Sequence, residues 1–415
     1  MKLNKKDPKI FKLIELETKR QKTSLQMIPS ENHCSSAVRE ALGSILTDKY
    51  AEGYPSKRYY GGNQFIDMVE NICIERAKKL FRVEHANVQP HSGSPANAAV
   101  YMAVCNPGDT IMGMALPMGG HLTHGSKPSF SGKFYKAAQY GLDPKTHLFN
   151  YDEFEKMAQE HKPKLIWVGG SAYPRMFDWE QLGRIADSVG AYLAADIAHI
   201  AGLIVGGVHP SPVPFVHIVT TTTHKTLRGP RGGIIMVTKK GIKKDPDLAK
   251  KIDRAVFPGF QGGPHENAIA AIAVCLKEAA TPAFKKYATQ VVKNAKVLAE
   301  ELKKYGFNLI SGGTENHLLL IDLRNKNITG AEAQDLLEEM GISTNRNSIP
   351  FDPAGPFKPS GIRMGTPAIT TRGMKEKEMK QIASWINEVV ENRGKSTKKV
   401  REEIKKLCKK FPLPK

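Results

Sequence analysis

An acid and a lysine, each closing an apolar run, are the residues best placed to do chemistry in this chain. Asp196 ends the run AYLAAD, where a carboxylate is costly to bury unless it meets a fixed cation. Lys225 follows the β-branched run VHIVTTTT, is flanked by His224, and leads into a Gly/Arg-rich turn. His199 lies three residues beyond Asp196. Upstream, in HSGSPANAAVYMAV, Ser92, Gly93 and Ser94 stand just before a helical stretch, where free N–H groups and hydroxyls favour an anion. Each piece alone has an ordinary reading: a helix cap, a turn acid, a solvated lysine. In this order and combination they suit pyridoxal phosphate. That cofactor needs a lysine for its Schiff base, an acid to hold the pyridine nitrogen protonated, and a cradle for its phosphate.

The elements that must position these groups can be read from hydrophobic periodicity. From 85 to about 240, short β-rich runs (IMGMAL, KLIWVGG, AYLAAD, VHIVTTTT, GGIIMVT) alternate with helical ones, which predicts an α/β fold with a mainly parallel sheet. An acid and a lysine closing two such strands both reach the carboxyl edge, where α/β folds bind ligands. Trp179, Leu182, Ile185, Ala186 and Val189 trace a helix ending at Gly190. Asp7, Pro8 and the stripe Ile10, Leu13, Ile14 predict a first helix, and Val69, Ile72, Cys73, Ala77 and Leu80 an amphipathic one. After 265 the pattern changes. Long helices over 266–279 and 282–304 precede strand HLLLIDL, a helix with a Thr329–Glu332 capping box, and SGIRMGTPAIT, which predicts a second, smaller α+β domain. The expected division is an N-terminal arm at 1–50, a large domain at 51–280 and a small domain at 281–415.

Around Lys225, TTTTHKTLRGPRGG resembles the signature of the serine hydroxymethyltransferase family. The resemblance continues through IPSEN (28–32), KYAEGYPSKRYYGGN (49–63), VQPHSGSPAN (88–97), GGHLTHG (119–125), SAY (171–173), DIAHIAG (196–202), FPGFQGGP (257–264), SGGTENH (311–317) and SGIRMGTPA (360–368). It implies a fold-type-I, aspartate-aminotransferase-like enzyme with a seven-stranded sheet. The implied reaction is reversible transfer of the hydroxymethyl group of L-serine to tetrahydrofolate, giving glycine and 5,10-methylenetetrahydrofolate. Carried over by resemblance, Lys225 forms the Schiff base, with Thr222 and His224 beside it, and Asp196 pairs with the pyridinium nitrogen. His121 stacks on the ring, and Ser171 and His199 bind near its phenolic oxygen. Ser92, Gly93 and Ser94 hold the phosphate, joined by Tyr50 and by Gly263 from a neighbouring subunit. Arg363 clamps the substrate carboxylate, assisted by Ser30. Glu52 and Tyr60 come from the partner subunit of a homodimer with shared active sites, and Glu52 handles the hydroxyl proton and the folate. Leu116, Leu122 and Asn347 line the pteridine slot. Ala115, Pro117 and Met118 depart from the more polar run expected there, which keeps a methanopterin-type carrier or a folate-independent aldolase as the alternatives. Glu52, Tyr60 and Asn347 favour the folate enzyme.

Composition narrows the remaining classes. The 415 residues carry a net charge of +20, of which +17 sits on residues 1–22, 239–254 and 393–415. Such charge at two ends and one loop leaves a near-neutral body. The C-terminal run carries Val400, Ile404, Leu407 and Phe411 on one face, which predicts a docked terminal helix with a solvated basic side. A nucleic-acid binder would instead interleave basic residues with exposed aromatics, and would leave HSGSPAN, Asp196 and Lys225 unexplained. Five scattered cysteines without C-x-x-C spacing fit a reducing compartment, and no run of 18 apolar residues predicts a membrane span. The expected location is cytoplasmic. His121 and His124 lack a nearby Cys or Glu in sequence, so no metal is expected.

Overall fold

Residues 2–355 and 357–414 are described by the computed structural model. Seven strands form the main sheet: β1 (His85–Asn87), β2 (Thr110–Met114), β3 (Lys136–Tyr140), β4 (Leu165–Val168), β5 (Tyr192–Asp196), β6 (Ile218–Thr222) and β7 (Gly233–Val237). Their order is β1-β7-β6-β5-β4-β2-β3, and every pairing is parallel except those of β7 with β1 and β6. All four residues of β4 and all five of β6 and β7 are buried, because helices cover both faces of the sheet. β5 and β6 are neighbours, with Asp196 opposite Thr220. Their carboxyl ends therefore open on the same edge, which is the placement expected for Asp196 and Lys225.

A second sheet is four-stranded and antiparallel: β8 (Asn308–Leu309), β9 (Leu318–Asp322), β10 (Asn345–Asn347) and β11 (Gly361–Gly365), in the order β8-β9-β11-β10. Ile362 and Met364 of β11 are in its core, so strand alternation turns Arg363 to the opposite face. The helix Pro282–Lys304 begins where Thr281 accepts from the Phe284 N–H, and Gly330–Met340 carries the expected Thr329–Glu332 capping box. Residues Leu25 and Gln26 of the N-terminal segment pair in parallel with Ile342 and Ser343, which ties the chain's beginning to this second core.

Three expectations change. The helix marked by Val69 and Ile72 spans Gln64–Phe81, but Ile72 is 45 % exposed while Glu70 is buried. The cause is Arg58, whose Nη2 lies 2.6 Å from Glu70 in a buried pair that turns the helix inward along Ile66, Glu70, Cys73 and Ala77. The helix Pro8–Thr23 is capped by Asp7 as expected, yet follows a short helical turn at Leu3–Lys6 and buries none of its residues. Strands β3, β8 and β10 carry no strong apolar run and exist through pairing with stronger neighbours. The terminal helix Thr397–Lys410 docks Val400, Ile404 and Leu407 and leaves its lysines outward. Among the described residues, no single helix is long and apolar enough to cross a membrane.

Candidate active site

A cavity of about 640 Å³ opens at the carboxyl edge of β5 and β6 and is walled on its other side by β10 and β11. Asp196 is held there from three directions. Its Oδ2 accepts from Asn97 Nδ2 at 2.9 Å and from His124 Nε2 at 3.2 Å, and its Oδ1 accepts from the Ala198 N–H at 3.0 Å. Asn97 is itself fixed by Thr123 and Thr220, and the His124 ring stacks on Trp167 with centroids 5.5 Å apart. Burial works to raise the Asp196 carboxyl, but the His124 hydrogen bond and the neighbouring His121 and Lys225 outweigh it and hold the group ionised. A locked carboxylate of this kind fits a protonated pyridine nitrogen.

Lys225 stands three residues beyond β6, and its carbonyl accepts from Asn32 Nδ2 at 2.9 Å. Burial brings its ammonium down to about 8; Asp196 opposes the shift, while Arg363 and Arg231 add to it. Such a lysine gives up its proton more readily than an exposed one, which favours the free amine that attacks a carbonyl. His224 beside it is pushed down to about 3 by burial and by Lys225, and its Nδ1 is buried without a partner. Thr222 closes β6, its Oγ1 3.5 Å from the Ala198 carbonyl.

The anion cradle is the start of the helix Gly93–Val104. Ser92 takes the capping position without using its side chain to cap, so the first N–H groups and the serine hydroxyls stay free for a ligand. A Cβ at Gly93 would come within 2.7 Å of Thr222 Cγ2, which is why glycine stands between the cradle and the strand bearing the lysine. Opposite, Arg363 on β11 donates through Nε to Asn345 Oδ1 at 3.1 Å and through Nη1 to the Ser171 carbonyl. The brace from Asn345 follows from strand register, since Asn345 and Arg363 are direct cross-strand partners. Burial draws the guanidinium down only to about 10, so it keeps its charge for a carboxylate.

The cavity lining contains most of the residues singled out from sequence: Ser30, Ser92, Gly93, Ser94, Leu116, His121, Leu122, Ser171, Asp196, His199, Thr222, His224, Lys225, Asn347 and Arg363. His121 lowers to about 4 through burial, and its Nδ1 is engaged by Thr123 Oγ1 at 2.8 Å. His121, His124 and Asp196 offer ligand atoms within 4.8 Å of one another, but the hydrogen bonds just described already engage each of them.

Four singled-out residues lie outside the lining. Tyr50, Glu52 and Tyr60 gather with Gly263 in a separate outer cluster. Tyr50 and Tyr60 rings are 4.8 Å apart, the Tyr50 hydroxyl donates to Glu52 at 3.4 Å, and Gly263 packs on the Tyr50 ring. Sequence reasoning missed Asn97, the role of His124 on Asp196, Asn345 and Arg231. The first two follow motif residues at helix or turn spacing, a signal that becomes specific only once Asp196 is placed between them.

The donor set fits pyridoxal phosphate: a free helix N-terminus, a low-lying lysine and a locked carboxylate share one cavity. The serine hydroxymethyltransferase family model matches residues 3–386. Members of that family use pyridoxal phosphate and tetrahydrofolate to interconvert serine and glycine. With a match across nearly the whole chain, the protein belongs to the serine hydroxymethyltransferase family and carries its pyridoxal-phosphate-dependent hydroxymethyl transfer.

Proposed function

We propose that this reaction runs in the cavity between β5–β6 and β11, with roles divided among the residues that line it. The observation that carries the assignment is the buried Lys225, which shares one cavity with the locked Asp196 carboxylate and the uncapped start of helix Gly93–Val104. Lys225 Nζ anchors the cofactor, Asp196 holds a proton on the pyridine nitrogen, and Ser92, Gly93 and Ser94 bind the phosphate. His121, Ser171 and His199, which line the same cavity, would hold the cofactor's ring, His121 against its face and the other two near its phenolic oxygen. When bound, pyridoxal phosphate supplies an electron sink for negative charge at the substrate Cα. Arg363, with Ser30, grips the amino-acid carboxylate and so orients which Cα bond faces the ring.

The hydroxyl proton of serine is handled by Glu52, and Tyr60 and Tyr50 complete the same wall, from a second copy of the chain in a homodimer. Two features support that reading. Glu52, Tyr50 and Tyr60 converge with Gly263 away from this chain's own cavity, with Tyr50 53 % and Tyr60 47 % exposed. The helix Pro8–Thr23 also leaves Ile10, Leu13, Ile14 and Leu16 open, an apolar face of the kind a second subunit covers. Leu116 and Leu122 at the mouth, with Asn347 inside, form the pteridine slot. Five free cysteines support a reducing, cytoplasmic setting. The division at 50 and 280 into arm, large domain and small domain is part of the same proposal.

Borohydride reduction of the pyridoxal-phosphate-loaded protein, followed by peptide mapping, tests the assignment. Label on the peptide containing Lys225 is the expected result. Label on another lysine overturns it.

A further inference from the structure

The segment 311–317 supplies no group to the roles above, yet it sets a fully buried histidine against the active site. His317 directly precedes β9 and is 0 % exposed. Its Nε2 lies 3.2 Å from Nδ1 of His199, the cavity residue that follows β5. The rings are 27° from parallel with centroids 5.4 Å apart. Burial, then Lys225 and Arg363, keeps both rings neutral: His199 lies well below the ordinary range and His317 falls to about 3.

Two neutral imidazoles carry one proton each, and four arrangements exist. If both protons lay on the contact the rings would clash donor to donor; if neither did, two lone pairs would face each other. Two arrangements remain, and the far nitrogen of His317 separates them. His317 Nδ1 is buried and has no hydrogen-bond partner. A proton there would be a buried donor with no acceptor, a rarer and costlier state than an unused lone pair. His317 therefore carries its proton on Nε2 and donates it to His199 Nδ1. His199 must then carry its own proton on Nε2, the ring nitrogen left for the cavity.

We propose that His317 is a positioning residue that fixes His199 as the Nε2–H tautomer, so that His199 offers the cavity a hydrogen-bond donor to an anionic oxygen of cofactor or substrate. The proposal rests on the cavity being the pyridoxal-phosphate site described above. It also couples the two sheets. The residue after His317 begins β9's pairing with β11, in which Leu320 faces Arg363, and the Thr366 N–H donates to the His317 carbonyl at 3.1 Å. The donor on His199 and the clamp on Arg363 are thus held by one strand pair. Around this seam, Asn316 donates to the Tyr173 carbonyl and Glu315 accepts from the Met176 N–H, which holds 311–317 against 171–176.

The test uses His317→Phe, which keeps a flat ring but cannot donate, and His317→Gln, whose amide can. Nitrogen NMR of histidine-labelled protein without cofactor reads the tautomer directly and does not depend on the cofactor assignment. Wild type and His317→Gln should show His199 protonated on Nε2 with its Nδ1 resonance shifted by an accepted hydrogen bond, and His317→Phe should lose that shift. In the loaded enzyme, serine turnover should fall by on the order of tenfold in His317→Phe and return to within about threefold of wild type in His317→Gln. The pH midpoint of the cofactor's absorption change should move in His317→Phe alone. A wild-type His199 protonated on Nδ1 overturns the proposal, as does an Nδ1 resonance unchanged in His317→Phe. If His317→Phe does not fold, the wild-type and His317→Gln tautomers still decide. Borohydride label away from Lys225 would instead count against the cofactor reading, leaving the tautomer measurement standing.

Discussion

The inner wall of the cavity and the outer cluster at Tyr50, Glu52 and Tyr60 are built on opposite plans. Inside, each working group is buried and braced: Asp196 by Asn97, His124 and the Ala198 N–H, Arg363 by Asn345 and Ser171. Outside, the three side chains lean mainly on one another, and Tyr50 and Tyr60 are about half exposed. Preorganisation of the first kind is what holds charge in place without water, and it is complete within one chain. A working acid on the surface has no such support. The contrast is what the proposed homodimer accounts for, since a second copy would enclose the outer cluster and finish the cavity.

Breaking the inner wall should have the largest effect. Lys225→Ala should lower serine turnover by more than about 10³-fold, because it removes the only amine placed to anchor the cofactor among the described cavity residues. Borohydride-resistant yellow colour with retained turnover would contradict this. Arg363→Ala should raise the KM for serine roughly 100-fold, since a buried carboxylate loses a charged two-point partner. Steady-state kinetics with unchanged KM would remove Arg363 from the clamp.

A smaller effect separates buried from exposed groups by pH. Burial first, then nearby charge, lowers His33, His121 and His217 to about 4 and His224 and His317 to about 3. In the unfolded chain these groups titrate near about 6.5. Between those values the unfolded chain binds protons that the folded chain refuses, so their contribution is full above about 6.5 and is lost as pH falls toward 4. Raised carboxyls such as Glu266, at about 8 through burial and then Glu70, act in the opposite sense but are fewer. Thermal melts should therefore show Tm falling steadily from pH 7 to pH 4.5; a flat profile would contradict the burial of these rings.

The parts of this architecture visible in sequence are those carried by local pattern. Asp196 ends a strong strand, Lys225 closely follows another, HSGSPAN opens a helix, and Thr329–Glu332 caps one, so these elements could be read from local pattern. What stayed hidden depends on contacts between distant segments. Ile72 lost its expected place because Arg58 pulls Glu70 into the core. Strand β3 exists through its partner β2, and Asn345 became a brace only through register with Arg363. His317 looked like one more residue of a motif until the fold set it 3.2 Å from His199, more than a hundred positions away.

The claim that the outer cluster completes another chain's cavity can be tested by mixing two inactive variants. Lys225→Ala lacks the anchor and Glu52→Gln lacks the acid, so each alone should be nearly dead. In random mixed dimers half the molecules pair unlike chains, and each has one intact site, so activity should return to about a quarter of wild type. Recovery of that size is the predicted result. A mixture as inactive as its components would mean that Glu52 does not serve a second copy's cavity.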